Sequence, residues 1–534
     1  SNICSTNRLT RFSYICYAQS KGRKMLAKIL SYGLTGISGY PVEIQLDINA
    51  GLPGYDVVGL ADTAIKESKS RVKAAIKNSS FNYPINKIII NLAPADTKKE
   101  GSMYDLPIAL GILVAEEIIT NKSLENFVVL GELSLNGEIR KLNGILPMLI
   151  SAKQMGFNKF IIPKENAMEA SFIDKIEVYP VETLKQVVSF LKGEITIEKN
   201  DCKTFESALK EHDYKHDFAY VKGQASAKRA MEIAAAGGHN IILIGPPGAG
   251  KTMLAKCFPS ILPDLTFEES LEVTKIHSVA GVLDPKQGIV VERPFRSPHH
   301  TATLIALTGG GQKAKPGEIS LAHNGVLFLD EMPEYARNTI ETLRQPMEDG
   351  YITVARNAIT VQYPANFILV ASMNPCPCGY YGSTTNQCKC TATAIHNYLS
   401  KISGPLLDRI DLHIEVDSIN YEDLSHYELE EPSSEIKKRV NRARDIQLQR
   451  FKDSKIYSNA KMNEKEFKKY CALDKDCTDL LEIAFKRFNL TARAYNRILK
   501  VARTIADLDG KENIERKHLM EAIQYRTLDK KYTV

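Results

Sequence analysis

Two hydrophobic periods take turns along this chain, and the change from one to the other marks its parts. Between residues 25 and 191, short apolar runs such as "VEIQLDI", "KIIINLA", "FVVLGELSL" and "KFIIP" have the length and β-branched content of strands. Between them, "DTAIKESKSRVKAAIKNS" repeats its apolar positions at helical spacing. The pattern predicts a compact α/β domain over 25–191. Residues 192–217, "KGEITIEKNDCKTFESALKEHDYKHD", are polar and dense in charge, which predicts a linker. From 218 to 416 strands and helices alternate again, now with Gly-rich turns; from 417 to 534 the pattern is almost wholly helical. Residues 1–24 contain no Asp or Glu and several Arg, Lys and Ser, so they are read as an extension outside the fold, expected to be disordered.

A chain of 534 residues exceeds what one hydrophobic core sustains, and 44% hydrophobic with 25% charged residues is ordinary globular composition. The net charge of +6, from 69 basic and 63 acidic residues, permits a nucleic-acid partner without requiring one. The longest apolar run, "LPIALGILVA", is about ten residues, which suits a buried helix and is too short for a membrane span. Outside one cluster the cysteines (Cys4, Cys16, Cys202, Cys257, Cys471, Cys477) follow no framework spacing, so a reducing cytoplasm is expected.

The chemistry concentrates in 218–416. "IILIGPPGAGKTMLAKCF" is an apolar strand, a loop Gly245-Pro246-Pro247-Gly248-Ala249-Gly250-Lys251-Thr252, and a helix start. Glycines at this spacing let backbone N–H groups wrap phosphate oxygens, with Lys251 reaching the β and γ phosphates of ATP and Thr252 ligating Mg²⁺. A second apolar strand ends in Asp330 and Glu331: the first acid can hold Mg²⁺ through water, the second can polarise the attacking water. A third, "FILVASMN", ends in Asn374, whose amide can orient water against the γ-phosphate, or simply form a turn.

"VKGQASAKRAMEIAAAGGHNIILIGPPGAGKT", "RPFRSPHHTATLIALTGGGQKAKPGEISLAHNGVLFLDE" and "ISGPLLDRIDLHIEV" together resemble the Mg-chelatase-like branch of the AAA+ ATPases, specifically the YifB/ComM family. The resemblance implies a P-loop AAA+ domain, with a parallel sheet and helices on both faces, followed by a C-terminal helical lid. It also implies that Asn374 is sensor 1, that Arg409 in "LLDRID" is an arginine finger presented to a neighbour's ATP, and that Arg493 in "LTARAYNRIL" is sensor 2. A finger acting on another copy requires assembly, and a ring of six is what the family implies. Lys313 and Lys315, after three glycines, resemble a pore loop, and Arg356 lies near the tip of a predicted hairpin in "EDGYITVARNAITVQYP". Cationic tips suit a DNA backbone, and solvated hairpins remain the plain alternative. The pair His299 and His300 in "SPHHT" can serve as a ligand pair, and a structural role in the loop is the reading preferred.

In "CPCGYYGSTTNQCKC", Cys376 and Cys378 face Cys388 and Cys390 across nine residues. Two such pairs can close a tetrahedral thiolate site for structural Zn²⁺; packed free thiols and a redox sensor stay open. The N-terminal part, through "VVLGELSLNGEIRKLNGILPMLISAKQMGFNKFIIPKENAMEA", resembles the Lon-type proteolytic domain. The Lon nucleophile falls on Met103 or Tyr104, with Ser102 adjacent, and the Lon lysine falls on Leu146. Leucine is no base, so proteolysis is not expected. The function expected from residues and resemblance together is an ATP-driven DNA motor, promoting branch migration in recombination or natural transformation. The competing expectation is the motor of a magnesium-chelatase-type metal-insertion complex.

Overall fold

The computed structural model describes residues 26–209, 215–311, 314–356, 359–383, 386–418, 429–454, 456–488 and 490–526. The predicted extension at 1–24 therefore lies outside the described residues.

The N-terminal part is one sheet with helices packed on it. Strands β1 (Ala27–Thr35), β2 (Ser38–Asn49), β3 (Gly54–Val58), β4 (Lys87–Ala93), β5 (Phe127–Val129), β6 (Lys159–Pro163) and β7 (Glu177–Val181) line up as β3-β4-β2-β1-β5-β6-β7. Along β2, burial alternates from Val42 to Ile48, as a strand with one covered face requires. Helix α1 (Thr63–Asn78) starts where Asp62 Oδ1 accepts the Ile65 N–H at 2.9 Å, and it buries Ile65, Ser68, Val72, Ala75 and Ile76 on one stripe. Helix α2 (Asp105–Ala115) is buried all round, the place of the longest apolar run. Its one carboxylate, Asp105, is matched by Arg71 Nε at 2.7 Å.

The second sheet carries the nucleotide motif. Strands β8 (Ile241–Ile244), β9 (Phe295–Arg296), β10 (Val326–Leu329), β11 (Ile368–Met373) and β12 (Leu412–Glu415) run in the order β9-β10-β11-β8-β12, every neighbouring pair parallel. All residues of β8, β10 and β11 are buried, because helices cover both faces of a parallel sheet. Their carboxyl ends share one edge, the edge at which such sheets bind ligands.

The N-terminal part sits directly on helix α3 (Phe267–Ala280). There the Ser278 hydroxyl donates to Glu169 Oε2 at 2.7 Å, and the Gly144 N–H donates to the Ser278 carbonyl at 3.0 Å. Part of the segment read as a linker is likewise tied down: the Lys203 N–H donates to the Ser171 carbonyl at 2.8 Å, and Phe205 packs against Phe267 with ring centroids 5.8 Å apart.

The last part is helical: α4 (Ser433–Arg450), α5 (Lys475–Phe488), α6 (Ala492–Leu508) and α7 (Arg516–Gln524). A charged network within it joins two of these helices, Arg450 and Arg503 sharing the buried carboxylate of Asp507, and towards the second sheet Arg526 donates to the Ile410 carbonyl. Asp411, buried just before β12, accepts the Asn240 N–H at 2.9 Å and pairs with Arg497 of α6. Burial alone would raise the Asp411 pKa, but the Arg497 guanidinium and the His239 ring hold it well below the usual carboxylate range.

A folded-state pKa below the unfolded value near 3.9 means stabilisation that is complete above about pH 5 and fades as the pH falls through and below 4. Asp411→Asn is therefore expected to cost about 3 kcal/mol at pH 7, since it strands Arg497, and to cost progressively less towards pH 3. Thermal melting of both proteins across this range checks the expectation; parallel melting curves at every pH would refute it.

Candidate active site

The loop between β8 and the following helix Lys251–Cys257 has the shape its glycines allow. Gly248 and Gly250 take φ of 78° and 87°, and a Cβ at Gly245 would lie 2.2 Å from the Val416 carbonyl oxygen. Lys251 is only 8% exposed. Its ammonium donates to the carbonyls of Gly245 at 2.7 Å and Pro246 at 2.8 Å and to Asn374 Oδ1 at 3.1 Å. Burial pushes its pKa down, while the nearby Asp330 and Glu331 carboxylates oppose that shift. A buried cation satisfied only by neutral oxygens is a ready partner for phosphate, so the loop fits the triphosphate that the motif implies.

The acids stand at the same sheet edge. Asp330 Oδ2 accepts from Thr252 Oγ1 at 2.9 Å, and Asp330 Oδ1 accepts from the Ser372 hydroxyl. The hydroxyl and carboxylate that Mg²⁺ would use are thus already adjacent, and the donor set is all oxygen, as Mg²⁺ prefers. Ser372 Oγ in turn accepts the Glu331 N–H at 3.0 Å, which holds Glu331 in a left-handed conformation (φ 51°, ψ 50°) with its side chain exposed. Ser372 is a site residue that reading the motifs missed. Its place two residues before Asn374 on a buried strand was the available signal.

Arg409 lies elsewhere. It precedes β12, whereas the P-loop follows β8, and Ile241 pairs with Leu412, so the guanidinium belongs to the amino-terminal edge of the same sheet. Four residues of strand separate the two edges, roughly 13 Å. Arg409 is 4% exposed and donates to the Pro405 carbonyl at 2.6 Å and to Glu348. The hydrogen bond from Arg409 holds the Glu348 carboxyl below the usual range, and Arg493 and Arg497 add to the effect. Arg493 thus shares the Arg409 edge rather than the P-loop edge, with its own side chain exposed.

The four thiols Cys376, Cys378, Cys388 and Cys390 converge, with all sulfur atoms within 4.8 Å of one another and none in a disulfide. Among the described residues no other group of three or more His, Cys, Asp or Glu side chains converges in this way. The His299 and His300 rings lie against each other, tilted, with centroids 4.1 Å apart, and His299 Nδ1 pairs with Thr301 Oγ1 at 2.9 Å, a loop contact.

The predicted hairpin is present as Tyr351–Arg356 paired antiparallel with Ile359–Pro364, Arg356 standing opposite Ile359. Lys315 is exposed in a two-residue strand paired with Gly309–Gly310; Lys313 lies outside the described residues. In the N-terminal part the Ser102 hydroxyl donates to Glu132, while Leu146 is buried among apolar side chains. Among the described residues no helix is long and apolar enough to cross a membrane.

The Ser372→Ala variant should leave one Asp330 oxygen and the Glu331 N–H unpaired, lowering ATP hydrolysis roughly tenfold or more and raising the Mg²⁺ needed for half-maximal rate. Hydrolysis measured across a Mg²⁺ titration checks this, and an unchanged Mg²⁺ requirement would count against the assignment.

Three family models cover most of the chain: "Magnesium chelatase, subunit ChlI" matches residues 217–424, "Subunit ChlI of Mg-chelatase" 44–166, and "Magnesium chelatase, subunit ChlI C-terminal" 430–526. YifB of Salmonella typhimurium is 44% identical over 506 residues, 95% of this chain and 98% of its own length. Competence protein ComM of Haemophilus influenzae is 42% identical over 506 residues, 94% of this chain and 98% of its own. The magnesium-chelatase 38 kDa subunit of Cereibacter sphaeroides is 25% identical over 177 residues, 30% of this chain and 52% of its own. The chain belongs to the YifB/ComM family of Mg-chelatase-like AAA+ ATPases.

Proposed function

We propose that this YifB/ComM-family ATPase is a cytoplasmic, ring-forming DNA motor, a helicase or branch-migration factor, whose active sites are completed between copies of the chain. The observation that carries the reading is the separation of the P-loop from Arg409 and Arg493 by the length of the sheet, which no side chain spans. A ring, six copies in this reading, sets the Arg409 edge of one copy against the P-loop edge of the next.

In this reading Lys251 leaves the carbonyls of Gly245 and Pro246 for the β and γ phosphates, and the backbone N–H groups of Gly248, Ala249 and Gly250 donate to the remaining phosphate oxygens. Thr252 and Asp330 would hold Mg²⁺, which when bound would supply positive charge against the phosphates. Glu331 takes the proton of the attacking water, oriented by Asn374, and a neighbour's Arg409 and Arg493 stabilise the charge developing on the transferring phosphoryl group. For Arg409 to do so it must exchange Glu348 for phosphate. Hydrolysis then moves the hairpins that carry Lys313, Lys315 and Arg356 along a phosphate backbone. The cysteine cluster holds a structural Zn²⁺, and the Lon-like domain, without its dyad, is a docking element rather than a peptidase. The name of the competence relative is compatible with DNA as the cargo.

The magnesium-chelatase reading rests on the three family models. DNA separates the two readings: forked or single-stranded DNA is expected to raise ATP hydrolysis several-fold, and a rate indifferent to every DNA structure would favour the chelatase motor instead.

Glu331→Gln is expected to bind ATP normally and turn it over at least a hundredfold more slowly. Lys251→Ala and Arg409→Ala are each expected to be inactive alone and to recover part of the activity when mixed, because a mixed interface restores one intact site. Failure of the mixture, with both variants shown to co-assemble, would place Arg409 outside the site.

A further inference from the structure

The cysteine cluster does more than share a segment with the nucleotide site: it touches it. Cys376 follows Asn374 by two residues, and Asn374 accepts from the Lys251 ammonium. Gly379, between the cysteine pairs, is buried with φ of 84°, and a Cβ there would lie 2.4 Å from Pro247 Cδ and 2.8 Å from Cγ. The backbone at Gly379 therefore rests on the ring of a P-loop proline.

The sulfur geometry is that of a tetrathiolate site. Cys376 Sγ lies 3.4 Å from Cys378 Sγ and 3.7 Å from Cys388 Sγ, and Cys378 Sγ lies 3.6 Å from Cys388 Sγ. Four sulfurs about 2.3 Å from a tetrahedral zinc stand about 3.8 Å apart. Backbone N–H groups also point at the sulfurs, Tyr381 at Cys376 (3.3 Å) and Cys390 at Cys388 (3.5 Å), as metal-bound thiolates favour. Only a small share of the described residues of this segment is apolar and buried, so little besides a metal would hold it compact.

We propose that the metal in this site is a clamp on nucleotide binding: it presses Gly379 against Pro247 and fixes Asn374, so that losing the metal loosens the P-loop. This rests on the zinc reading given above and adds to it a dependence of nucleotide affinity on the metal. Gly379 transmits the clamp as a positioning residue and is not a ligand.

The full-length chain tests it without turnover. The purified protein should carry one Zn²⁺ per chain, and Co²⁺ in its place should show the charge-transfer and ligand-field bands of a tetrahedral thiolate site. Cys388→Ser should lose the metal and bind a fluorescent ATP analogue about tenfold more weakly. Gly379→Ala keeps all four ligands, so it should retain Zn²⁺ and still bind the analogue more weakly; it decides the matter if Cys388→Ser fails to fold. Unchanged affinity in Gly379→Ala and in metal-stripped protein, with one Zn²⁺ in the wild type, would overturn the clamp while leaving the zinc reading intact. A wild-type chain with neither Zn²⁺ nor Co²⁺ bands would overturn both.

Discussion

A parallel sheet has two unlike edges, and this molecule divides its buried charged groups between them. The carboxyl edge of the second sheet carries Lys251, Thr252, Asp330, Glu331 and Asn374 within hydrogen-bonding reach of one another or on adjacent strand ends. The amino edge carries Arg409, with Arg493 and Arg497 close enough to act on the same Glu348 carboxylate. Both sets are held by the same four buried strands, so neither can move to the other without dismantling the core. In the proposed reading, where Arg409 acts on a neighbour's nucleotide, assembly then becomes a requirement of the chemistry.

Glu348 and Asp411 show how the arginine edge is kept in order. Each carboxylate neutralises a guanidinium that hydrocarbon would otherwise exclude, Arg409 in one case and Arg497 in the other. Asp411 also ties the helical part to the sheet, so helix α6, which bears Arg493 and Arg497, moves only with the strand that follows Arg409. The N-terminal part joins this body through Glu169 and Ser278, whose helix Phe267–Ala280 lies between the P-loop helix and β9 in the chain.

Local signals in the sequence carried the P-loop, the two strand-end acids, the 351–364 hairpin and the pairing of the cysteines, because each is encoded within a few neighbouring residues. The N-terminal strands Ala27–Thr35, Gly54–Val58 and Glu177–Val181 were less plain, since their apolar content is diluted by Lys, Tyr, Gly or Pro. Ser372 had only its place two residues before Asn374 to mark it, and Glu348 had no mark at all: a serine inside an apolar run and a glutamate before a turn take their roles from partners 42 and 61 residues away. The burial of Arg409 was equally hidden, because its cover comes from that same distant glutamate. Contact between Gly379 and Pro247 joins segments more than 130 residues apart in number, and a glycine in a Gly-Tyr-Tyr-Gly stretch gives no hint of it.

The dependence of the rate on assembly tests the shared site most directly. ATP hydrolysis per chain, followed as the protein is diluted with Mg²⁺ and ATP saturating, is expected to fall steeply as the oligomer measured in parallel by light scattering comes apart. A rate per chain that stays constant while the protein becomes monomeric would contradict the account, since one copy would then hold a complete site.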